Sequence, residues 1–185
     1  EKVFVLSPNG TEVLPSGSNT TVTWAAAPTM EKFRVSYSND GGVTWAPITT
    51  GLITNTSVNW AVPLLTKNKS KCLMKITAFN ASNKKLGSDK SDGPFTIEVL
   101  SITTPSPGTI CTSGQVCRVE WTKAPAVNAA TAELSYSLDN GTTWKKIPAA
   151  ISEADSGYDW TPTVTKTKTK CKVKIVLMNA AGNTV

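Results

Sequence analysis

The sequence predicts an all-β protein made of two tandem β-sandwich domains. Short runs of alternating apolar and polar residues recur about every ten residues between turn signals, which is typical of a sandwich or a barrel. Helix signals are nearly absent from a chain dominated by Thr, Ser, Val, Asn and Gly. A shift of the sequence against itself also aligns all six tryptophans, which indicates an internal repeat. The pairs are Trp24 with Trp121, Trp45 with Trp144, and Trp60 with Trp160.

The repeat sets the domain boundaries. The paired tryptophans lie 97, 99 and 100 positions apart, and Cys72 pairs with Cys171 at a similar shift. We therefore place one domain at residues 1–100 and a second at residues 101–185, each of a usual size for a sandwich module.

Composition narrows the classes of function. Hydrophobic residues make up 39% and charged residues 17% of the chain, as in a globular protein rather than a disordered one. The chain has no histidine, which excludes Ser-His-Asp and Cys-His nucleophiles and any His-ligated metal centre. The four cysteines lack metal-ligand spacing, and no apolar run is long enough for a membrane span. We expect no cofactor, no metal and no enzymatic activity.

Seven strands are expected in the first domain. Alternation places Val22 and Trp24 on the inner face of the second strand, and Pro63 ends the fifth because proline cannot continue a ladder. In the sixth strand Cys72 faces inward, whereas Lys71 and Lys75 face outward. The seven strands are Val3–Ser7, Thr20–Trp24, Phe33–Ser38, Trp45–Ile48, Ser57–Pro63, Lys71–Ala78 and Gly93–Leu100.

The second domain repeats this plan, with its last long strand predicted at Thr169–Met178, but has fewer residues at its end. Six residues follow Asn179, whereas twenty residues of the first domain follow Asn80 and include its closing strand. The second sandwich is therefore expected to lack its closing strand, which leaves an unpaired edge. Either the sequence is cut short, or a neighbouring subunit donates the strand. The candidate donor residues are Val3, Phe4, Val5 and Leu6.

One eight-residue motif, S-x-D-x-G-x-T-W, occurs once in each domain. Its Asp, Asn and Gly residues accept positive φ, so each copy is expected to form a β-hairpin turn. The motif resembles the Asp box, or bacterial neuraminidase repeat. That resemblance implies an Asp carboxylate that accepts backbone N–H bonds above a packed Trp, a structural role without a fixed activity. The motif residues are Ser38, Asp40, Gly42, Thr44 and Trp45, and Ser137, Asp139, Gly141, Thr143 and Trp144.

The order of the elements carries a second resemblance. A Trp on the second strand, the Asp-box hairpin, the Trp60–Pro63 strand end and a closing Ser91–Ile97 segment follow one another. This order resembles the fibronectin type III and immunoglobulin-like repeats of bacterial exported proteins. It is similar also to the Ser/Thr-rich cell-wall domain family of fungi. Both resemblances imply a two-sheet sandwich that serves as a spacer, an adhesive or a wall-associated module.

The cysteines point to an oxidising compartment. Cys111 and Cys117 flank a turn and are predicted to form a disulfide, which places the protein outside the cell or at its surface. Cys72 and Cys171 are predicted to face inward, where an unpaired Cys behaves as a small apolar residue. A bond between Cys117 and Cys171 is the alternative.

A run of lysines in the second domain is a candidate partner-binding surface. Alternation along a strand places its five lysines on one face, where they would attract an acidic polysaccharide or the acidic patch of a protein. The alternative is a solvated face that discourages aggregation. Nucleic acid is disfavoured because no aromatic residues interleave with the lysines. The tryptophans are predicted to lie in the core because they repeat and face inward, and a sugar-stacking platform is the alternative. The lysines are Lys166, Lys168, Lys170, Lys172 and Lys174.

These features predict a non-enzymatic, exported structural or adhesive surface module. The unpaired edge suggests that it self-associates or binds a protein partner there, as a subunit of a surface assembly or filament built by strand complementation. The alternative is a carbohydrate-binding accessory module of a secreted hydrolase, suggested by the Asp boxes and the lysines.

Overall fold

A computed structural model of the chain describes residues 2–125, 127, 129–149, 151–152 and 154–184. These residues form strands and turns, so the predicted all-β class is confirmed. Among them there is no helix of the length and apolarity that would cross a membrane. The chain divides into two compact units, one comprising Glu1–Val99 with Ala124–Ala126 and the other Leu100–Lys123 with Val127–Val185.

The first unit is a sandwich of two sheets. One sheet has the order β1-β3-β6, and the other has the order β2-β9-β7-β4-β5 with β8 also paired to β7. All pairs are antiparallel except that of β2 with β9. This strand order is that of an immunoglobulin-like sandwich. The strands are β1 (Val3–Ser7), β2 (Val13–Pro15), β3 (Asn19–Ala26), β4 (Lys32–Ser38), β5 (Ala46–Pro47), β6 (Ser57–Ala61), β7 (Lys69–Phe79), β8 (Lys85–Lys90) and β9 (Phe95–Glu98).

Alternating apolar side chains from both sheets fill the core of this unit. Val22 and Trp24 on β3 meet Phe33 on β4, and the Trp24 and Phe33 rings pack edge to face at 5.4 Å. Phe95 and Ile97 on β9 are completely buried. Burial of such side chains is the main stabilising contribution to a sandwich of this size.

The first unit has nine strands where the sequence predicted seven. The two additional strands are β2, which is three residues long, and β8, whose sequence Lys-Leu-Gly-Ser-Asp-Lys is largely exposed. Neither shows the apolar alternation by which the other strands were predicted, because neither buries a continuous apolar face.

The second unit also contains two sheets. One has the order β10-β11-β15, and in the other β12 pairs with β13, β14 and β16. Its core contains Val119, Trp121, Leu134 and Leu177, all buried. The strands are β10 (Leu100–Thr104), β11 (Cys117–Lys123), β12 (Thr131–Ser137), β13 (Lys145–Lys146), β14 (Ile151–Ser152), β15 (Gly157–Trp160) and β16 (Lys172–Met178).

The last long strand of the second unit is shorter than predicted. It begins at Lys172 rather than at Thr169, and Cys171 is exposed, so the prediction of an inward-facing Cys171 is wrong. In the first unit the equivalent strand is β7, and its first residues pair with β9, where Cys72 lies opposite Phe95. In the described part of the second unit β16 pairs only with β12, apart from one bridge between Met178 and Thr184.

The candidate donor strand is already used within its own unit. Its residues form β1, which pairs with β3, and Val3 and Val5 are buried while Phe4 and Leu6 are exposed. Donation of this strand to another subunit would require it to leave β3 and to expose both valines. Its role as a donor therefore remains a prediction with a substantial energetic cost.

Candidate functional site

The turn between β4 and β5 is held by its own side chains. Ser38 Oγ donates a hydrogen bond to Asp40 Oδ1 at 2.7 Å and accepts one from the Gly42 N–H at 2.8 Å. Asp40 in turn accepts bonds from the backbone N–H of Thr44, at 2.9 Å, and from its hydroxyl. The indole N–H of Trp45 donates to the Gly42 carbonyl at 3.0 Å. The left-handed φ of +90° at Gly42 makes this geometry accessible.

The turn between β12 and β13 repeats these bonds residue by residue. Ser137 Oγ donates to Asp139 Oδ1 and accepts from the Gly141 N–H, both at 2.7 Å. Asp139 accepts from the N–H and the hydroxyl of Thr143, and Trp144 donates to the Gly141 carbonyl. These bonds have the arrangement that the Asp-box resemblance implies, while membership of that repeat family stays a prediction.

These bonds stabilise the ionised form of both carboxylates. The pKa of Asp40 is lowered to about 2, first by the Thr44 hydroxyl, then by the Thr44 backbone N–H and the Ser38 hydroxyl. The pKa of Asp139 is lowered to about 2 by the equivalent groups. A carboxylate of this kind accepts hydrogen bonds and does not donate a proton near neutral pH, since catalytic acids need raised pKa values.

The six tryptophans fall into two groups. For the second group, the two hairpin tryptophans, the predicted core position is wrong. Trp24, Trp60 and Trp121 are buried, and Trp160 is half-buried. The two hairpin tryptophans pack instead on their turns, with Trp45 half-exposed and Trp144 exposed to 36%. Their indole N–H bonds to the turn require this outward position.

A lysine from the long strand lies over each hairpin tryptophan. Lys75 Nζ on β7 is 3.9 Å from the Trp45 ring centroid, and Lys174 Nζ on β16 is 4.6 Å from that of Trp144. Both distances fall within the range of cation–π contacts. The sequence did not predict these pairs, although the lysines recur at the same shift as the tryptophans they cover.

A groove lies beside the first of these pairs, on the outer side of β7 and β8. It has a volume of about 490 Å³. Lys75 and Lys90 are directly opposite in the register of the two strands. Burial lowers the pKa of Lys75, and the charges of Lys85 and Lys90 lower it further. The groove is lined by Trp45, Lys75, Ser88, Asp89, Lys90, Ser91 and Asp92.

The five lysines of the predicted partner-binding surface are all exposed, but they do not share one strand face. Lys172 and Lys174 belong to β16, whereas Lys166, Lys168 and Lys170 precede it and have no strand geometry. The alternation that would align them is therefore absent from most of the run. Binding of a partner by these lysines remains a prediction.

The cysteines follow two patterns. Cys111 and Cys117 are joined in a disulfide with Cα atoms 5.4 Å apart, so the alternative bond between Cys117 and Cys171 is wrong. Cys72 is a free, buried thiol whose pKa is raised by burial. In the part of the chain that the structure describes, no three Cys, Asp or Glu side chains are grouped so that they could hold a metal ion.

Comparisons with known proteins give distant structural likenesses. No protein-family model and no curated protein matches the chain. The fibronectin(III)-like modules of Clostridium thermocellum CbhA match at 12% identity over 99% of this chain and 88% of theirs, with a TM-score of 0.35.

Two further likenesses are to parts of larger proteins. The FN1–FN3 domains of chicken CNTN1 match at 13% identity over 95% of this chain and 59% of theirs, with a TM-score of 0.32. A tetra-tandem repeat from the extending region of a large adhesion protein matches at 14% identity over 99% and 46%, with a TM-score of 0.30. The strand order of the first unit, rather than these low scores, identifies the immunoglobulin-like sandwich.

Proposed function

We propose that this chain is a non-enzymatic, exported module with a structural or adhesive role at a cell surface or in an extracellular assembly. The observation that carries the proposal is the repeated hairpin, whose Ser, Asp, Thr and Trp side chains bond within their own turn in both units. Such side chains stabilise a repeating unit and are not free to act on a substrate.

The electrostatics of the two carboxylates support a non-catalytic role. Asp40 and Asp139 share a pKa of about 2 and belong to separate units. Carboxylates that act as an acid and a base have pKa values that their surroundings drive apart. Equal pKa values in repeated positions are instead expected of a structural element used twice.

The disulfide supports export. Cys111 and Cys117 are bonded across a turn, and bonds of this kind persist in oxidising compartments. The matching positions of the first unit, Leu14 and Thr20, have no cysteine. The second unit therefore carries a crosslink that reducing conditions would remove.

Protease treatment of intact cells of the natural source tests this proposal. We expect the chain to be digested without lysis, while a cytosolic marker protein in the same cells stays intact. Non-reducing mass spectrometry is expected to find the Cys111 and Cys117 peptides linked. A chain that is protected from protease and carries reduced cysteines would contradict the proposal.

A finer form of the proposal is assembly by strand complementation. The edge of β16 that faces away from β12 supports it, because the described residues pair there only through the bridge of Met178 to Thr184, and an open edge can accept a strand. Light scattering over a dilution series is expected to show growth with concentration, and a peptide of the Lys2–Ser7 sequence is expected to slow it. A monomer at every concentration, with no effect of the peptide, would refute this form.

The second candidate function is a carbohydrate-binding accessory module. The groove beside Trp45 favours it, since it joins an aromatic side chain to several polar groups in one concave surface. Binding of soluble glycans by the purified chain is the expected outcome. Wild-type protein that binds no glycan would exclude this candidate and leave the structural role in place.

A further inference from the structure

The groove on the first unit holds two positive charges in an unfavourable arrangement. Lys75 and Lys90 face each other directly across the antiparallel pair of β7 and β8. Side chains in such positions have Cβ atoms about 4.5–5.5 Å apart, and like charges there destabilise the sheet. Lys85 lies on the same strand as Lys90 and adds to the positive potential at Lys75.

Among the described residues, no carboxylate forms an ion pair with either lysine, Lys75 or Lys90. The two acidic residues of the lining keep their charge but bond other groups: Asp89 accepts the Val5 N–H at 2.9 Å, and Asp92 accepts the side-chain N–H of Asn9 at 2.8 Å. The two ammonium groups are therefore available to an anion.

The position of Lys75 is fixed by its contact with Trp45. Its ammonium lies 3.9 Å from the centre of the ring, and the residue is half-buried. A cation held in this way loses less conformational freedom on binding than a freely moving surface lysine does. The hydroxyl of Ser88, which is exposed beside the lysines, is a further donor at the same surface.

We propose that this groove binds an acidic sugar of a polysaccharide, with the carboxylate or sulfate group between Lys75 and Lys90. The volume of about 490 Å³ lies within the usual range of small-ligand sites. Single-stranded nucleic acid is disfavoured because Lys75 already covers the Trp45 ring on which a base would stack. This inference rests on the exported role proposed above and assigns that role a ligand class.

The second unit provides a built-in comparison. Lys174 covers Trp144 as Lys75 covers Trp45, but in the described residues no strand corresponds to β8 beside β16. Lys174 consequently lacks an opposing lysine in the position of Lys90, and its side chain is exposed. The lysine–tryptophan pair alone does not form the groove.

Titration of the full chain with defined glycans tests the proposal. The probes are a polygalacturonate oligosaccharide, which carries carboxylates, a sulfated dextran oligosaccharide, neutral dextran, and a thymidine oligonucleotide of matched charge. We expect one or both acidic glycans to bind and to shift the amide resonances of β7 and β8. The comparison of the two acidic probes shows whether the carboxylate or the sulfate is preferred.

Two matched variants locate the site. Lys90→Gln is expected to weaken binding about tenfold, because a charge-assisted hydrogen bond is lost. Lys145→Gln removes the same charge from the second unit, at a position outside either candidate binding surface, and is expected to change affinity less than twofold. Both positions are exposed, so thermal unfolding should show that each variant is folded.

Three results would overturn the inference. They are equal binding of neutral dextran, equal or tighter binding of the oligonucleotide, and equal losses in the two variants. An absence of glycan binding would also overturn it, whereas the protease test of export would be unaffected. Failure of this inference can therefore be distinguished from failure of the proposed function.

Discussion

The two units share a plan and differ most at the outer edge of their long strand. In the first unit β8 and β9 pair with β7, and Phe95 lies 6.1 Å from the Trp60 ring. In the second unit β16 has no such neighbours in the described residues, and the matching Trp160 is half-buried. Both tryptophans still contact a tyrosine, at 4.9 and 4.8 Å. The comparison shows that one sequence pattern specifies the local contacts of a residue, while strands distant in the chain determine its burial.

The largest expected difference between the units is the cost of removing these two tryptophans. Trp60→Ala should destabilise the first unit by about 3–5 kcal/mol, since it removes a fully buried ring. Trp160→Ala should cost the second unit about 2 kcal/mol because its ring is half in solvent already. Hydrogen exchange in increasing denaturant reports each unit separately.

The control is a second pair of equivalent tryptophans, which are equally buried in the two units. Trp24 and Trp121 are 2% and 3% exposed, so their replacement by alanine should cost the two units similar amounts. Equal costs for Trp60→Ala and Trp160→Ala would contradict the importance that we assign to β9.

The disulfide is expected to have the next largest effect. Replacement of Cys111 and Cys117 by serine should lower the stability of the second unit by about 2 kcal/mol through the closure of a short loop. The first unit should be unchanged, and reduced wild-type protein should match the double variant. A loss shared by both units would show that they do not unfold independently.

The exposed edge should be visible in amide exchange. Amides of β7 are paired on both sides of the strand, whereas those of β16 that point away from β12 face no partner strand among the described residues. We expect the latter to exchange roughly tenfold faster or more than their β7 counterparts. Equal protection in a monomeric sample would mean that the edge of β16 is covered.

The two units should differ least in their hairpins, where the pKa of Asp40 and that of Asp139 should be the same. Because each folded-state pKa is lowered from 3.8 to about 2, each carboxylate stabilises the fold fully above pH 3.8. That contribution is lost as the pH falls through about 2. Carboxyl chemical shifts should titrate with midpoints near 2 in both units.

Removal of the serine hydroxyl checks the cause of this shift. Ser38→Ala should raise the pKa of Asp40 towards 3.8 and leave Asp139 unchanged, and Ser137→Ala should do the reverse. A midpoint near 3.8 in the wild-type protein would contradict the bonding of the turn.

The sequence predicted those features of the fold that depend only on residues close together in the chain. Alternation identified Val22 and Trp24 as core, and the Asp-Gly chemistry identified both hairpin turns, because these features arise from strand geometry and φ preference. It did not predict β8, whose residues are polar and largely exposed. The exposure of Cys171 was missed for a different reason, since burial there requires a partner strand that the local pattern does not contain.

The candidate groove could not be predicted from the sequence. Lys75 and Lys90 are fifteen positions apart, and only the register of β7 and β8 brings them opposite one another. The sequence indicated instead the lysine run of the second unit, whose lysines are only two positions apart in the chain. Side chains on the surface of a sheet contact one another mainly across strands, so neighbours on the surface can be distant in the sequence.

The side-chain hydrogen bonds within each hairpin affect the order in which the chain folds. Among the described residues, every hydrogen bond made by the side chains of Ser38, Asp40 and Trp45 spans four residues or fewer, and the same holds for the second copy. Hairpins with such local contacts form within about 1–10 μs, far faster than sandwich domains close their distant strand pairs. We expect each turn to serve as an early nucleus for its own unit. Transition-state analysis should then give high φ-values for Ser38→Ala and Ser137→Ala.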